Sequence, residues 1–176
     1  MSKLILDMVL NGGRVTRFHT RVTLKPESVA EHSFIVAWIA TILMGGKPRA
    51  ELLLACLAHD LPEHELGDVP SHTKKRIPGL RDSFRQEEAI MFAAAGMEDY
   101  EAALTPLEAE VLSFSDNFAG YLKCLYEVRM GNQLLLDVAD RYMEYILQTV
   151  GNSVHLPKED YTRVIDIVST ATGEPS

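Results

Sequence analysis

The stretch Leu57-Ala58-His59-Asp60-Leu61-Pro62-Glu63-His64-Glu65-Leu66-Gly67-Asp68-Val69-Pro70 decides how this chain is read. It follows the apolar run Leu52-Leu53-Leu54-Ala55-Cys56, then places two histidines and four carboxylates within ten residues. Ionisable groups at the end of a buried helix cost several kcal/mol unless something compensates them. A bound metal ion is the simplest compensation, because it neutralises carboxylates and takes neutral imidazole as a ligand. Pro62 cannot continue the helical hydrogen-bond ladder, so the helix bends or ends there. Glu63 lies four residues after His59 and three after Asp60, which points all three to one side if helical geometry persists.

Outward from this stretch the pattern is helical. Residues 3–10 carry Leu4, Ile5, Met8 and Val9 at helical spacing before Asn11-Gly12-Gly13. Ser28-Val29-Ala30-Glu31 has the form of a capping box and opens a helix over 29–44. Apolar residues surround that helix almost completely, Phe34, Trp38 and Ile42 among them, which predicts a central, buried position. His32 falls in its first turn, where the helix dipole disfavours imidazolium and leaves a neutral ring able to bind metal. Pro48 suits the first turn of the next helix, which ends at His59-Asp60. Residues 64–79 read as an irregular polar connection containing His72-Thr73-Lys74-Lys75-Arg76.

Leu80 to Ala95 predicts an amphipathic helix with Phe84, Ile90, Met91 and Phe92 inward. Thr105-Pro106-Leu107-Glu108 is a second capping box, and its helix reaches Met130. Asp116 is out of place within it, since Leu112, Ala119 and Gly120 on the same face are apolar or small. The acid is expected to be buried with space beside it. Helices over 133–150 and 157–171 complete an all-α bundle of about six or seven helices, in a single domain spanning 1–176. Strand alternation is nowhere sustained.

Composition narrows the function. A formal net charge of −8 argues against a general nucleic-acid binder. It leaves room for a small anionic substrate, because Arg14, Arg17, Arg21 and Lys25 fall within twelve positions free of acidic residues. That basic segment is either a solvated loop or an anion clamp, with arginine suited to phosphate oxygens. Cys56 and Cys124 read as small buried hydrophobes in a reducing compartment. No signal peptide or membrane-length apolar run is apparent, and a cytoplasmic protein is expected.

His32, His59, Asp60 and Asp116 come from three predicted helices and suit one divalent transition ion with positions left open. The strings Ser28-Val29-Ala30-Glu31-His32-Ser33, His59-Asp60-x-x-Glu63 with Gly67-Asp68-Val69-Pro70, and Asp116-x-x-x-x-Tyr121-Leu122-Lys123-Cys124 carry a resemblance. Over about residues 14–130 the chain resembles the HD-domain metal-dependent phosphohydrolases, specifically the YfbR-like 5′-deoxynucleotidases.

The resemblance implies an HD-domain helical bundle and removal of the 5′-phosphate from deoxynucleoside monophosphates. It makes His32, His59, Asp60 and Asp116 the ligands of one ion: Co²⁺, Mn²⁺, Zn²⁺ and Fe²⁺ all fit such a set. Glu63 matches the acid that manages protons, and Asp68 a second acid beside the site. Arg17 and Lys74 match phosphate contacts, and Phe18 stands where the family often has a tryptophan against the sugar. Thr20, His19 and His72 are candidate walls of the base pocket. The resemblance also implies a homo-oligomer. Two alternatives stay open. The related compact phage HD-type dATP triphosphohydrolases share the ligand set and release triphosphate. A non-enzymatic helical interaction module could hold a purely structural metal.

Overall fold

The computed structural model describes residues 3–155 and, beyond them, 159, 161, 162, 165 and 166; at 71, 72 and 75 it describes the backbone only. The expected helix over 157–171 therefore lies largely outside the described residues. The fold is all-α. Up to residue 155 there are eight α-helices, α1 (Lys3–Gly12), α2 (Val29–Leu43), α3 (Ala50–Ala58), α4 (Glu63–Leu66), α5 (Ser71–Arg76), α6 (Leu80–Ala95), α7 (Pro106–Arg129) and α8 (Leu136–Asn152), with a short 3-10 helix (Gln133–Leu135) leading into α8. No helix among them is long and apolar enough to cross a membrane.

Both capping boxes form. Ser28 accepts from the Glu31 amide while Glu31 returns a bond to Ser28, and Thr105 and Glu108 repeat the arrangement at α7. Each N-cap contributes about 1 kcal/mol and fixes where its helix begins. The long helix α7 is the axis of the bundle, with α2 and α8 packed on it and α3 packed on α2. Val36, Ala40, Leu52, Cys56, Phe114 and Phe118 fill the space between them at 1% exposure or less. Each such Leu or Phe contributes roughly 1.5–3 kcal/mol by leaving water.

A smaller apolar cluster of Met8, Ala58, Leu61 and Ala95 joins α1, the end of α3 and α6. The contact there is unusually close. A β-carbon on Gly12 would lie 2.5 Å from the Leu61 carbonyl oxygen, so α1 braces the backbone immediately after His59-Asp60.

Three expectations need correction. α2 is not buried all round: Phe34, Trp38 and Ile42 are 60%, 56% and 63% exposed, because α3 and α7 cover only one side of it. Ile90 on α6, expected inward, also faces outward. The connection over 64–79 is largely helical, in α4 and α5, with Gly67 and Gly79 at positive φ as its breaks. The segment before α2 contains two short strands, β1 (Thr16–Arg17) and β2 (Glu27–Ser28), paired antiparallel. A two-residue strand has no alternation for sequence inspection to detect.

Candidate active site

α3 ends at Ala58, and His59 still has helical backbone angles as its C-cap. The Leu61 amide bonds to the Ala58 carbonyl, and Pro62 opens α4, so Glu63 begins a new turn. This break aims His59, Asp60 and Glu63 into one cavity of about 1000 Å³. His32 approaches from α2 and Asp116 from α7. The His32 Nε2 lies 2.9 Å from Asp116 Oδ1 and 3.9 Å from Asp60 Oδ2. The His59 Nε2 lies 3.4 Å from Asp60 Oδ2 and 3.8 Å from Asp116 Oδ1. Two imidazole nitrogens and two carboxylates from separate helices thus converge.

The donor set suits a divalent ion. His32, His59 and Asp60 offer ligand atoms within 4.8 Å of one another. The other nitrogen of His59, Nδ1, donates to the Cys56 carbonyl at 2.9 Å, which leaves the lone pair on Nε2 facing the carboxylates. That Nε2 is buried without a hydrogen-bond partner and faces two carboxylates, so the position suits a bound cation, whether a metal ion or, without one, a proton. Asp116 departs from expectation: its side chain is 38% exposed and opens on the cavity rather than being buried.

Electrostatics divide these groups. Burial and the Arg17 charge lower the His32 pKa, so its ring stays neutral. Burial also disfavours charged His59, but the Asp60 and Asp116 carboxylates prevail and raise it to about 9. Asp60 and Asp116 resist the upward push of burial, held low by His59 and Arg17 and by His32 and His59 respectively. Glu63 goes the other way. Burial, then the negative charges of Asp60 and Asp68, push its carboxyl up to about 9.

Arg17 is the cation of the site. Its guanidinium pairs with Asp60 and lies 3.9 Å from Asp116 and 3.6 Å from Glu27. The strand register explains the last contact, since Arg17 stands directly opposite Glu27. The next residue, Phe18, has φ 57°, which turns the chain sharply after the arginine. Phe18, Thr20, Asp68 and Lys74 all line the cavity. Lys74 rests its ammonium over the Phe84 ring, and Asp68 pairs with His19 at 3.3 Å. Arg21 lines the cavity too, whereas Arg14 is exposed and Lys25 lies outside it. The His72 side chain lies outside the described residues.

The comparisons with known proteins decide the family. The description 5′-deoxynucleotidase YfbR-like matches residues 6–162. The chain belongs to the YfbR-like 5′-deoxynucleotidase family. Among YfbR-like relatives, a 5′-deoxynucleotidase of Photorhabdus laumondii is 28% identical over 76% of this chain and 84% of its own length. A 5′-deoxynucleotidase of Vibrio vulnificus is 27% identical over 83% of this chain and 91% of its own. The fold is also that of the cyanophage S-2L HD phosphohydrolase (DatZ), whose structure holds dA and one catalytic Zn²⁺ ion. That structure aligns with a TM-score of 0.75 at 21% identity, over 94% of this chain and 95% of the other. An HD-domain phosphohydrolase from Listeria innocua aligns at 0.72 and 19% identity, over 95% and 87% of the two chains.

Three residues that border this YfbR-like site were not singled out from the sequence. Glu27 reaches it through strand pairing, and Glu101 through the turn after α6, beside His59. Tyr142 reaches it from α8, across α7. All three arrive by long-range packing, which leaves no local pattern.

Proposed function

We propose that this chain is a metal-dependent 5′-deoxynucleotidase, converting deoxynucleoside monophosphates to deoxynucleosides and orthophosphate within one HD domain. The observation that carries this reading is the convergence of His32, His59, Asp60 and Asp116 on one another, beside Arg17 and a proton-bearing Glu63. In it, His32, His59, Asp60 and Asp116 hold one divalent ion, of which Co²⁺, Mn²⁺ and Zn²⁺ all suit the donor atoms. When bound, such an ion supplies the Lewis acidity that activates water and polarises a phosphoryl group at neutral pH.

The chain's own groups do the rest. Arg17, anchored by Glu27 and Asp60, presents a planar fork to the phosphoryl oxygens, and Lys74 adds a second cation. Glu63 holds a proton where ordinary carboxyls have lost theirs, which suits donation to the leaving 5′-oxygen. Asp68 stands beside it, and its negative charge helps keep that proton in place. Phe18, fixed by its unusual backbone, forms the wall for the sugar, with Thr20 beyond it. The His72 backbone lies in α5, and its role as a base-pocket wall remains part of the proposal.

The test is phosphate release from dAMP with added Co²⁺ or Mn²⁺, comparing wild type with Asp60→Ala. Wild type is expected to release orthophosphate and the variant to bind no metal and release none. If folded, metal-loaded wild type releases no more than the variant from any nucleotide, the reading is abandoned. With dATP, release of intact triphosphate would instead mark a triphosphohydrolase.

The proposal extends to assembly and location. The exposed Phe34, Trp38 and Ile42 stand at four-residue intervals on α2, whose only charged residue is Glu31. An antiparallel second copy would set Phe34 against Ile42 around Trp38, and Glu31 towards Lys47 of the other copy. Such a face supports a homodimer. The free, buried Cys56 and Cys124 suit a reducing cytoplasm.

A further inference from the structure

The α7 face that carries Asp116 continues one turn later at Gly120. There the helix surface is occupied by a side chain from another element. A β-carbon on Gly120 would lie 2.6 Å from Cζ of Tyr142 and 2.8 Å from its hydroxyl oxygen. Residue 120 therefore has no room for a side chain, and the space it leaves seats the phenol of α8 against the α7 backbone. Tyr142 lines the same cavity as Asp60 and Asp116, and the charges of Arg17, Asp116 and Asp68 all act on its hydroxyl. Among the described residues that hydroxyl makes no hydrogen bond.

The chemistry around it limits what it can serve. Asp60, Glu63, Asp68 and Asp116 crowd the site with acid, while the guanidinium of Arg17 spends part of its fork on Asp60 and Glu27. A phosphate dianion entering such a site needs donors that do not collapse onto the carboxylates. A further cation would be drawn to them, whereas a neutral O–H is drawn much less strongly. A phenol, with an ordinary pKa of about 10, keeps its proton at neutral pH, and burial pushes it further up.

We propose that Tyr142, seated by Gly120, is a substrate-positioning residue that donates a hydrogen bond to the phosphoryl group of the nucleotide. This rests on the deoxynucleotidase reading for its substrate but not for its ligand chemistry, which is that of a phosphate oxygen.

The experiment compares wild type, Tyr142→Phe and Gly120→Ala, each metal-loaded and matched for metal content and melting temperature. The readouts are KM and kcat for dAMP, the inhibition constant of orthophosphate, and orthophosphate binding by calorimetry. Tyr142→Phe is expected to raise KM and weaken orthophosphate together by roughly tenfold, the loss of one hydrogen bond to a charged group. Gly120→Ala, which displaces the ring and its hydroxyl without removing either, is expected to weaken orthophosphate to a similar extent. Unchanged orthophosphate binding in Tyr142→Phe overturns the proposal, whatever Gly120→Ala does. If wild type cleaves no nucleotide, the deoxynucleotidase reading fails, and the calorimetric comparison still judges Tyr142 by itself.

Discussion

An isolated glutamic acid ionises near pH 4.3, yet Glu63 holds its proton to about pH 9 because it is buried between Asp60 and Asp68. Its Oε2 is buried without a hydrogen-bond partner. A group in that state serves as an acid at neutral pH, and its removal should be felt in chemistry rather than in assembly of the site. Glu63→Gln keeps the shape and loses the transferable proton. We expect kcat to fall by roughly 10²–10⁴ with metal stoichiometry unchanged, as measured by elemental analysis of the purified variant. Loss of metal together with activity would instead make Glu63 a ligand. This residue was legible in the sequence because its i+4 spacing from His59 is local. Tyr142 was not, since its approach depends on a glycine in a different helix.

At the scale of elements, the segment carrying Arg17 and Phe18 is tied down by one carboxylate. Glu127, fully buried near the end of α7, accepts from the backbone amides of Leu24 at 2.7 Å and Lys25 at 3.0 Å. It also accepts from Lys123 Nζ at 2.7 Å and Asn132 Nδ2 at 2.9 Å. Asn132 and Lys123 reach onward to the carbonyls of Val22 and Lys25. Burial opposes the charge of Glu127, but these donors outweigh it and hold the carboxyl down at about 2.

A depressed carboxyl contributes stability that is complete above its unfolded pKa and is lost as pH falls towards its folded value. Glu127→Gln should therefore cost roughly 3 kcal/mol at neutral pH, because Lys123 is left buried without its counter-charge. In urea unfolding, the gap between wild type and variant should narrow as pH drops from about 4 towards 2. A gap independent of pH would show that the charge of Glu127 is not what matters. The sequence suggested a basic loop here, either solvated or clamping an anion. It could not show that an acid about a hundred residues away supplies the anchor.

For the whole molecule, helix content and the two capping boxes were readable because they are written in short-range pattern. What periodicity could not supply was the identity of the partner for each apolar face. α2 reads as apolar all round, yet among the described residues only one side is covered, and Phe34, Trp38 and Ile42 remain outside. Three large exposed side chains in line exceed what scattered surface residues present. Trp38→Glu, at the centre of the stripe, should convert a dimer to a monomer in light scattering behind size exclusion, with circular dichroism unchanged. A wild type that is monomeric at all working concentrations would remove the basis for that assembly.

The close approach of Gly12 to Leu61 has a consequence for how variation in this chain will read out. Leu61 separates Asp60 from Pro62, so any residue at position 12 with a β-carbon presses on the carbonyl between them. Such a change lies outside the lining of the cavity and meets the backbone of Leu61 rather than any group that faces it. In a genetic screen it would nonetheless score with the loss-of-function alleles of the site itself, and a map of sensitive positions drawn from activity alone would place the N-terminal helix inside the catalytic centre.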